Sequence, residues 1–165
     1  MSCLGEYAIS RGSLLEAGKA SDMKPPEIID SDMLAPCGLN CVLCYRHLGK
    51  NPCPGCRARL SEPDVYKRKC IMRACVSDRG LFSCAECAEI PCRRVKTFAK
   101  RYREGYGFDL LYHAARQREI GAEALIHEQL CAHTCDACGH LINLHDGICS
   151  GCGKQHAIGK GRTHV

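Results

Sequence analysis

Late in the chain stands the stretch Cys135-Asp-Ala-Cys138-Gly-His-Leu-Ile-Asn-Leu-His-Asp-Gly-Ile-Cys149-Ser-Gly-Cys152-Gly. It holds two Cys-x2-Cys units, each followed by a glycine. A two-residue gap lets both thiolates of a unit bind one ion, and the glycine lets the backbone turn beneath the sulfur atoms. The Asp-Gly pair between the units is typical of a hairpin turn. The stretch therefore predicts a zinc ribbon with four thiolate ligands, Cys135, Cys138, Cys149 and Cys152.

Such a site is predicted to be structural. Four thiolates complete a tetrahedral zinc shell and leave no position for water or substrate, which zinc catalysis requires. His140 and His145 could serve as alternative ligands, but we expect both to be exposed residues of the turn, because four cysteines already suffice.

A second group of cysteines precedes this stretch, in a segment with few large apolar side chains. So thin a core needs a further stabilising element, either disulfides or metal. Met1 to Ser10 does not read as a secretory signal, so we expect a cytoplasmic protein, in which cysteines at short spacing bind metal. The predicted ligands, of unknown grouping, are Cys37, Cys41, Cys44, Cys53, Cys56, Cys70, Cys75, Cys84, Cys87 and Cys92.

The metal of this second group is less constrained by the sequence. The Cys53-Pro-Gly-Cys56 unit is typical of zinc sites and, with the ribbon, favours two or three Zn²⁺ ions per chain. The spacing Cys37-x3-Cys41-x2-Cys44 instead suits an iron–sulfur cluster, so a [4Fe–4S] cluster in this module is the alternative. A radical S-adenosylmethionine enzyme is disfavoured, because the chain is too short for the barrel that such enzymes need.

The order of these residues resembles a known family. Ala35-Pro-Cys-Gly-Leu-Asn-Cys-Val-Leu-Cys44, Cys53-Pro-Gly-Cys56, Cys70-x4-Cys75 and Cys84-Ala-Glu-Cys-Ala-Glu-Ile-Pro-Cys92 are similar to the "domain of unknown function 3795" family. The resemblance extends over roughly 33 to 153, and implies metal binding without a known activity. The chain departs from the family in its long N-terminal tail and in Cys131, where we expect an aromatic residue.

One helix is predicted within the second cysteine group, and three more are predicted after it. Ser61-Glu-Pro-Asp64 is a helix-start signal for a helix from about Pro63 to Val76. Further along, Val95, Phe98, Ala99 and Tyr102 form one apolar stripe at helical spacing. Asp109 predicts the cap of a next helix to about Ile120, and a last helix is expected over 122–130 after the break at Gly121.

These patterns predict a small metal-stabilised α+β protein, an irregular cysteine-rich module with short helices, a helical connector and a C-terminal zinc-ribbon hairpin. The expected division is a mobile tail (1–33), the cysteine-rich module ending in a basic amphipathic helix (34–103), the connector (104–130), the ribbon (131–156) and a tail (157–165).

The formal net charge is +5, and the stretch 93–118 is the most basic, with eight cations against two acids. A nucleic-acid surface is one interpretation. However, each four-thiolate site carries about −2, so three sites would bring the total to about −1. We therefore favour charge balance on a solvated face. The candidate basic surface comprises Arg93, Arg94, Lys96, Lys100, Arg101 and Arg103.

Three functions remain open on the sequence alone. The favoured one is a zinc-binding interaction or adaptor module whose partner is another protein, with nucleic acid possible and no membrane contact expected. The second is an iron–sulfur electron carrier or redox sensor. An enzyme is the least supported, because the sequence has no HExxH, phosphate loop or nucleophile elbow.

Overall fold

A computed structural model describes residues 8–9, 23–50, 53–57 and 70–158 of the chain. Within these ranges, no helix combines the length and the apolar character that crossing a membrane requires. The predicted helix-start signal at Ser61 to Asp64 and most of the predicted N-terminal tail lie outside the described residues.

Helices form the regular part of the fold. The part of the chain that the structure describes has four helices, α1 (Ile71–Asp78), α2 (Arg93–Tyr106), α3 (Leu110–Ile120) and α4 (Ala122–Ala132). Two short strands, β1 (Ala8–Ile9) and β2 (Ile28–Ile29), pair in parallel. Single 3-10 turns occupy Ser31–Met33, Cys41–Leu43 and Cys84–Glu86.

Helix α2 forms where the apolar stripe predicts it. Val95 and Ala99 are buried, and Phe98 and Tyr102 pack against the core from the same face. The helix ends because Gly107 adopts a left-handed conformation, with φ of +66°. Glycine tolerates this conformation without the steric cost that a Cβ imposes, which makes it a common residue just beyond a helix.

The start of α3 also follows the sequence. The Asp109 carboxylate accepts hydrogen bonds from the backbone amides of Leu111 and Tyr112, at 2.9 and 3.2 Å. These amides have no partner inside the helix, so the side chain supplies one. Gly121 then separates α3 from α4 as expected.

The helix predicted from about Pro63 to Val76 lies only partly within the described residues, since 63–69 fall outside them. Cys70, the N-cap residue of α1, is extended, so the observed helix does not continue through that position. Helix α1 starts at Ile71 and continues to Asp78, two residues beyond the predicted end at Val76.

The C-terminal segment departs from the predicted hairpin. Within residues 131–158 the structure has three isolated antiparallel bridges and no continuous strands. The bridges are Thr134 with Leu141, Ile142 with Cys149, and Ile148 with Gln155. Only ten residues separate the two Cys-x2-Cys units, so the intervening chain closes in tight turns and has little length for a ladder.

One apolar core draws on segments far apart in sequence. Its buried residues are Ile29, Met33, Leu34, Val42, Leu43, Ala99, Phe108, Leu110, Leu125, Ile126, Leu130, Leu141 and Leu144. Residues 23–33, which we expected in a mobile tail, therefore contribute two core side chains. Backbone hydrogen bonds tie the C-terminal segment to this core, from Leu141 to the Met23 carbonyl (2.8 Å) and from Leu144 to the Leu43 carbonyl (3.0 Å).

Candidate metal centres

The four C-terminal cysteines come together as predicted. The sulfur atoms of Cys135, Cys138, Cys149 and Cys152 all lie within 4.8 Å of one another. Two of the separations are 3.8 Å, between Cys135 and Cys152, and 3.4 Å, between Cys138 and Cys149. This group could bind a metal ion, since a tetrahedral ion with metal–sulfur bonds of about 2.3 Å places its sulfurs about 3.8 Å apart.

Each Cys-x2-Cys unit of this site has the same backbone turn. In the first, the Gly139 amide donates to the Cys135 carbonyl at 2.9 Å, and the Cys135 amide donates to the His140 carbonyl at 2.8 Å. In the second, Gly153 and Cys149 make the matching bonds, of 3.1 and 3.0 Å. Both glycines have positive φ, +74° and +70°, which explains the glycine after each unit.

The local field favours a thiolate at Cys135. Burial opposes ionisation, but the backbone amides of Ala137 and Cys138 and the thiols of Cys149 and Cys138 outweigh it and lower the pKa of Cys135 to about 6. Metals bind thiolates rather than thiols, so this field prepares a ligand.

Two neighbours of this site were missed by the sequence analysis. The ligand atoms of Asp136 and His156 lie within 4.8 Å of each other and of the Cys135 sulfur. Lys154 pairs with Asp136 at 2.8 Å. Asp136 occupies a variable position inside the first Cys-x2-Cys unit, and His156 follows the second unit, so no spacing rule singles out either residue.

Both turn histidines are less exposed than predicted. His140 is half-buried, with its Nδ1 3.0 Å from the Cys138 carbonyl oxygen. His145 is buried, with 8% of its surface exposed, and its ring contacts the rings of Tyr45, Tyr102 and Tyr106 at centroid distances of 4.9, 5.8 and 4.7 Å. The expectation of an exposed residue was wrong, because the turn folds against α2. Burial lowers the pKa of His145, and Asp146 opposes the shift.

The ten earlier cysteines are arranged differently. Among residues 23–50, 53–57 and 70–158, no three of their sulfur atoms lie within 4.8 Å of one another. No cysteine in these ranges forms a disulfide.

The Cys41 to Cys44 unit forms a 3-10 turn. Asn40 caps it by accepting from the Val42 amide at 3.1 Å, and the Cys44 amide donates to the Cys41 carbonyl at 3.1 Å. The Cys56 amide donates to the Cys41 sulfur at 3.4 Å, so the Cys53 to Cys56 unit meets this turn. The Cys56 thiol and burial both raise the pKa of Cys41.

The Cys84 to Cys87 unit has the same turn. The Ser83 hydroxyl accepts from the Ala85 amide and donates to Gln117 of α3, each at 3.2 Å. From the next position on α3, the Arg118 guanidinium donates to the carbonyl groups of Ala85 and Cys87, the latter at 2.9 Å. Helix α3 therefore holds this turn in place.

Residues from both halves of the cysteine group meet at Cys37 and at Arg57. Burial raises the pKa of the Cys37 thiol, and the nearby thiols of Cys56, Cys70 and Cys84 add to the shift. Arg57 donates to the carbonyl groups of Leu34 and Phe82, at 2.7 and 2.6 Å. These contacts join the segment around residue 34 to the segment that precedes the Cys84 turn.

The predicted basic surface separates into two parts. All six cations are exposed on α2. Arg93 and Arg94 lie at its start, beside Cys75, Cys84, Cys87 and Cys92 around one cavity. Towards its end, Lys100 and Arg103 pair with Glu104 and Asp109, at 3.8 and 3.5 Å. These two acids partly neutralise the positive charge of the second part.

Comparison with known proteins gives one match. No curated protein and no solved structure matches the chain. Residues 33–97 match the family described as "Protein of unknown function (DUF3795)", which covers all ten earlier cysteines and stops before the C-terminal site. The family resemblance inferred from the cysteine pattern is thus confirmed over residues 33–97, which carry the sequence pattern of DUF3795.

Proposed function

We propose that the C-terminal site holds one Zn²⁺ ion as a zinc ribbon of minimal length. The observation that carries this proposal is the mutual approach of four sulfur atoms to within 4.8 Å. The 3.4 and 3.8 Å separations are close to those of a tetrahedral four-thiolate zinc site. A site filled by thiolates is closed to substrate, so its role is structural.

The proposed ion would act on the whole fold. The chain between the two cysteine pairs contributes Leu141 and Leu144 to the main core. Fixing both ends of this chain to one ion reduces the conformational entropy that these residues lose on packing. Zinc release should therefore loosen the core as well as the site.

In function, we propose a metal-stabilised interaction module of the cytoplasm that binds another protein and has no chemistry of its own at the zinc. The closed ligand set supports a non-catalytic role, and the lack of disulfides among the described cysteines suits a reducing compartment. Nucleic acid is the less favoured partner, because ion pairs and metal thiolates offset much of the positive charge on α2.

Metal analysis tests the zinc proposal. Cys149→Ser should lower bound zinc by about one equivalent per chain, the amount of one four-thiolate site. Cys131→Ser is the matched control. Cys131 lies in α4 and is not a member of the four-cysteine group, so this substitution should leave zinc unchanged. Equal zinc in Cys149→Ser and the parent protein would refute the site.

Titration with a random-sequence duplex tests the partner class. Non-specific binding should be weak at physiological salt, with a Kd on the order of 10⁻⁴ to 10⁻⁶ M. Replacing Lys96, Lys100 and Arg101 with Gln should change it little. Tight binding to one defined sequence, lost in that triple variant, would replace the protein partner with nucleic acid.

A further inference from the structure

A cavity of about 330 Å³ lies among α1, the Cys84–Glu86 turn and the start of α2. Four of the ten earlier cysteines line it: Cys75, Cys84, Cys87 and Cys92. The rest of the lining is mainly apolar, with Met72, Val76 and Val95 among its residues. Three of these side chains also form a small buried cluster with Cys84, so the wall behind the sulfurs is packed.

The sulfur atoms of these four cysteines are too far apart for a single ion. No three of them lie within 4.8 Å of one another, although all four are described. A tetrahedral zinc brings its sulfurs to about 3.8 Å and leaves no cavity between them. The sulfur atoms of the C-terminal site are close enough for one tetrahedral ion, and those around the cavity are not.

The volume suits a polynuclear centre. The inorganic core of a [4Fe–4S] cluster has eight atoms. Counted at a water molecule's share of about 30 Å³ each, they need at most about 240 Å³. The cavity of about 330 Å³ accommodates such a core and still leaves the cysteines around its edge as ligands.

The charges around the cavity suit an anionic centre. A [4Fe–4S] cluster with four thiolates carries about −2 in its oxidised form. The guanidinium of Arg79, the C-cap residue of α1, lies 3.5 Å from the Cys87 sulfur, and Arg93 and Arg94 line the cavity. Glu89 also lines it and pairs with Arg79 at 2.9 Å, so the charged side chains at the cavity, three arginines and one carboxylate, sum to +2.

The N-terminus of α2 adds to the positive electrostatic field at the cavity. Cys92 is its N-cap residue, and no side chain caps the helix there. The first amides of a helix have no partner within it, and they stabilise negative charge at that end. The helix start thus faces the same cavity as the three arginines.

We propose that Cys75, Cys84, Cys87 and Cys92 bind a [4Fe–4S] cluster in this cavity. The sequence favoured zinc here and associated the cluster alternative with Cys37, Cys41 and Cys44. The cavity instead assigns it to the later four cysteines. The proposed site shares no ligand with the C-terminal centre, so the cluster proposal and the zinc proposal can be tested separately.

Anaerobic purification tests the assignment. The parent protein should contain about four iron and four sulfide per chain, with a brown colour that bleaches on reduction with dithionite. Cys87→Ser should lose most of this iron and colour. Cys131→Ser should retain both, and the C-terminal zinc should stay at one equivalent in all variants.

Two results would overturn the proposal. One is a colourless parent protein whose ten earlier cysteines hold zinc, even after reconstitution with ferrous iron and sulfide. The other is iron that persists in Cys87→Ser. If that iron is lost in Cys41→Ser instead, the cluster belongs to the group around Cys41.

A second variant keeps every cysteine and so avoids a folding failure. Arg79→Gln removes the cation beside the Cys87 sulfur, and hydrogen bonds donated to the cluster sulfurs and positive charge near them raise the reduction potential. The potential measured by voltammetry should therefore shift to more negative values. Arg101→Gln, on the same protein but away from the cavity, should leave it unchanged. Equal potentials in the two variants would contradict a cluster bound to Cys87.

Discussion

The phenol oxygen of Tyr102, on α2, lies 3.3 Å from Nε2 of His145, in the turn between the two C-terminal cysteine pairs. Two further tyrosines, Tyr45 and Tyr106, enclose the same imidazole ring. Tyr45 follows Cys44 in the earlier cysteine group, so this aromatic cluster joins three parts of the chain. The segment that carries the four C-terminal cysteines is held to the fold by side-chain packing as well as by its backbone.

The first prediction concerns this packing. His145→Ala removes a buried ring from contact with three tyrosines and leaves a cavity, so it should reduce the free energy of unfolding by about 2–3 kcal/mol. Tyr112→Ala is the control, because Tyr112 is 62% exposed. Urea unfolding of zinc-loaded protein provides the comparison. Equal losses in the two variants would show that the aromatic cluster contributes little.

The second prediction is a pH dependence that belongs to the same residue. Burial lowers the pKa of His145 below its ordinary value of 6.5, against an opposing effect of Asp146. Near pH 6.5 the unfolded chain therefore binds a proton at this histidine, whereas in the folded chain His145 stays neutral. The contribution of neutral His145 to the free energy of unfolding is complete above pH 6.5. It is lost progressively as the pH falls from there towards the folded pKa.

The measurement is a difference between two proteins. Urea midpoints of the parent and of His145→Asn, taken from about pH 8 to about pH 5.5, should diverge below the ordinary histidine pKa, where the parent loses stability faster. Loss of metal at acid pH affects both proteins and cancels in the difference. Parallel curves would contradict a buried neutral imidazole.

The sequence predicts the local features of this fold and misses those that depend on distant chain segments. Asp109 and Gly107 act within a few residues of themselves, so the limits of α2 and α3 were readable. The four ligands of the C-terminal site are equally contiguous. His145 was misassigned because its neighbours come from α2 and from Tyr45, which no local pattern reveals.

The same reason explains the unassigned cysteines. The sequence predicts ten ligands at short spacings, but their grouping depends on where α3 holds the Cys84 turn relative to α1. No glycine follows Cys44 or Cys87, and this was a usable signal. Each of these cysteines ends a capped 3-10 turn, which differs from the glycine-closed turns of the C-terminal site.

The third prediction tests how α3 positions the Cys84 turn. Ser83 is fully buried, caps the turn and donates to Gln117. Ser83→Ala removes the cap and leaves a buried amide oxygen without its donor, so it should cost about 2 kcal/mol of unfolding free energy. Ser77→Ala, at an exposed position of α1, should stay within about 0.5 kcal/mol of the parent. A Ser83 variant as stable as the Ser77 variant would show that the hydrogen bonds of Ser83 do not hold the turn against α3.

The last prediction contrasts two glycines at the end of α2. Gly105 lies inside the helix, and a Cβ built there meets no atom within 4 Å, so Gly105→Ala should stabilise the protein by about 0.5–1 kcal/mol. Gly107 has φ of +66°, where a Cβ is strained, so Gly107→Ala should destabilise it by about 1–2 kcal/mol. The two substitutions add the same methyl group two residues apart, and thermal unfolding of metal-loaded protein should move in opposite directions. Shifts of the same sign would mean that α2 ends elsewhere than at Tyr106.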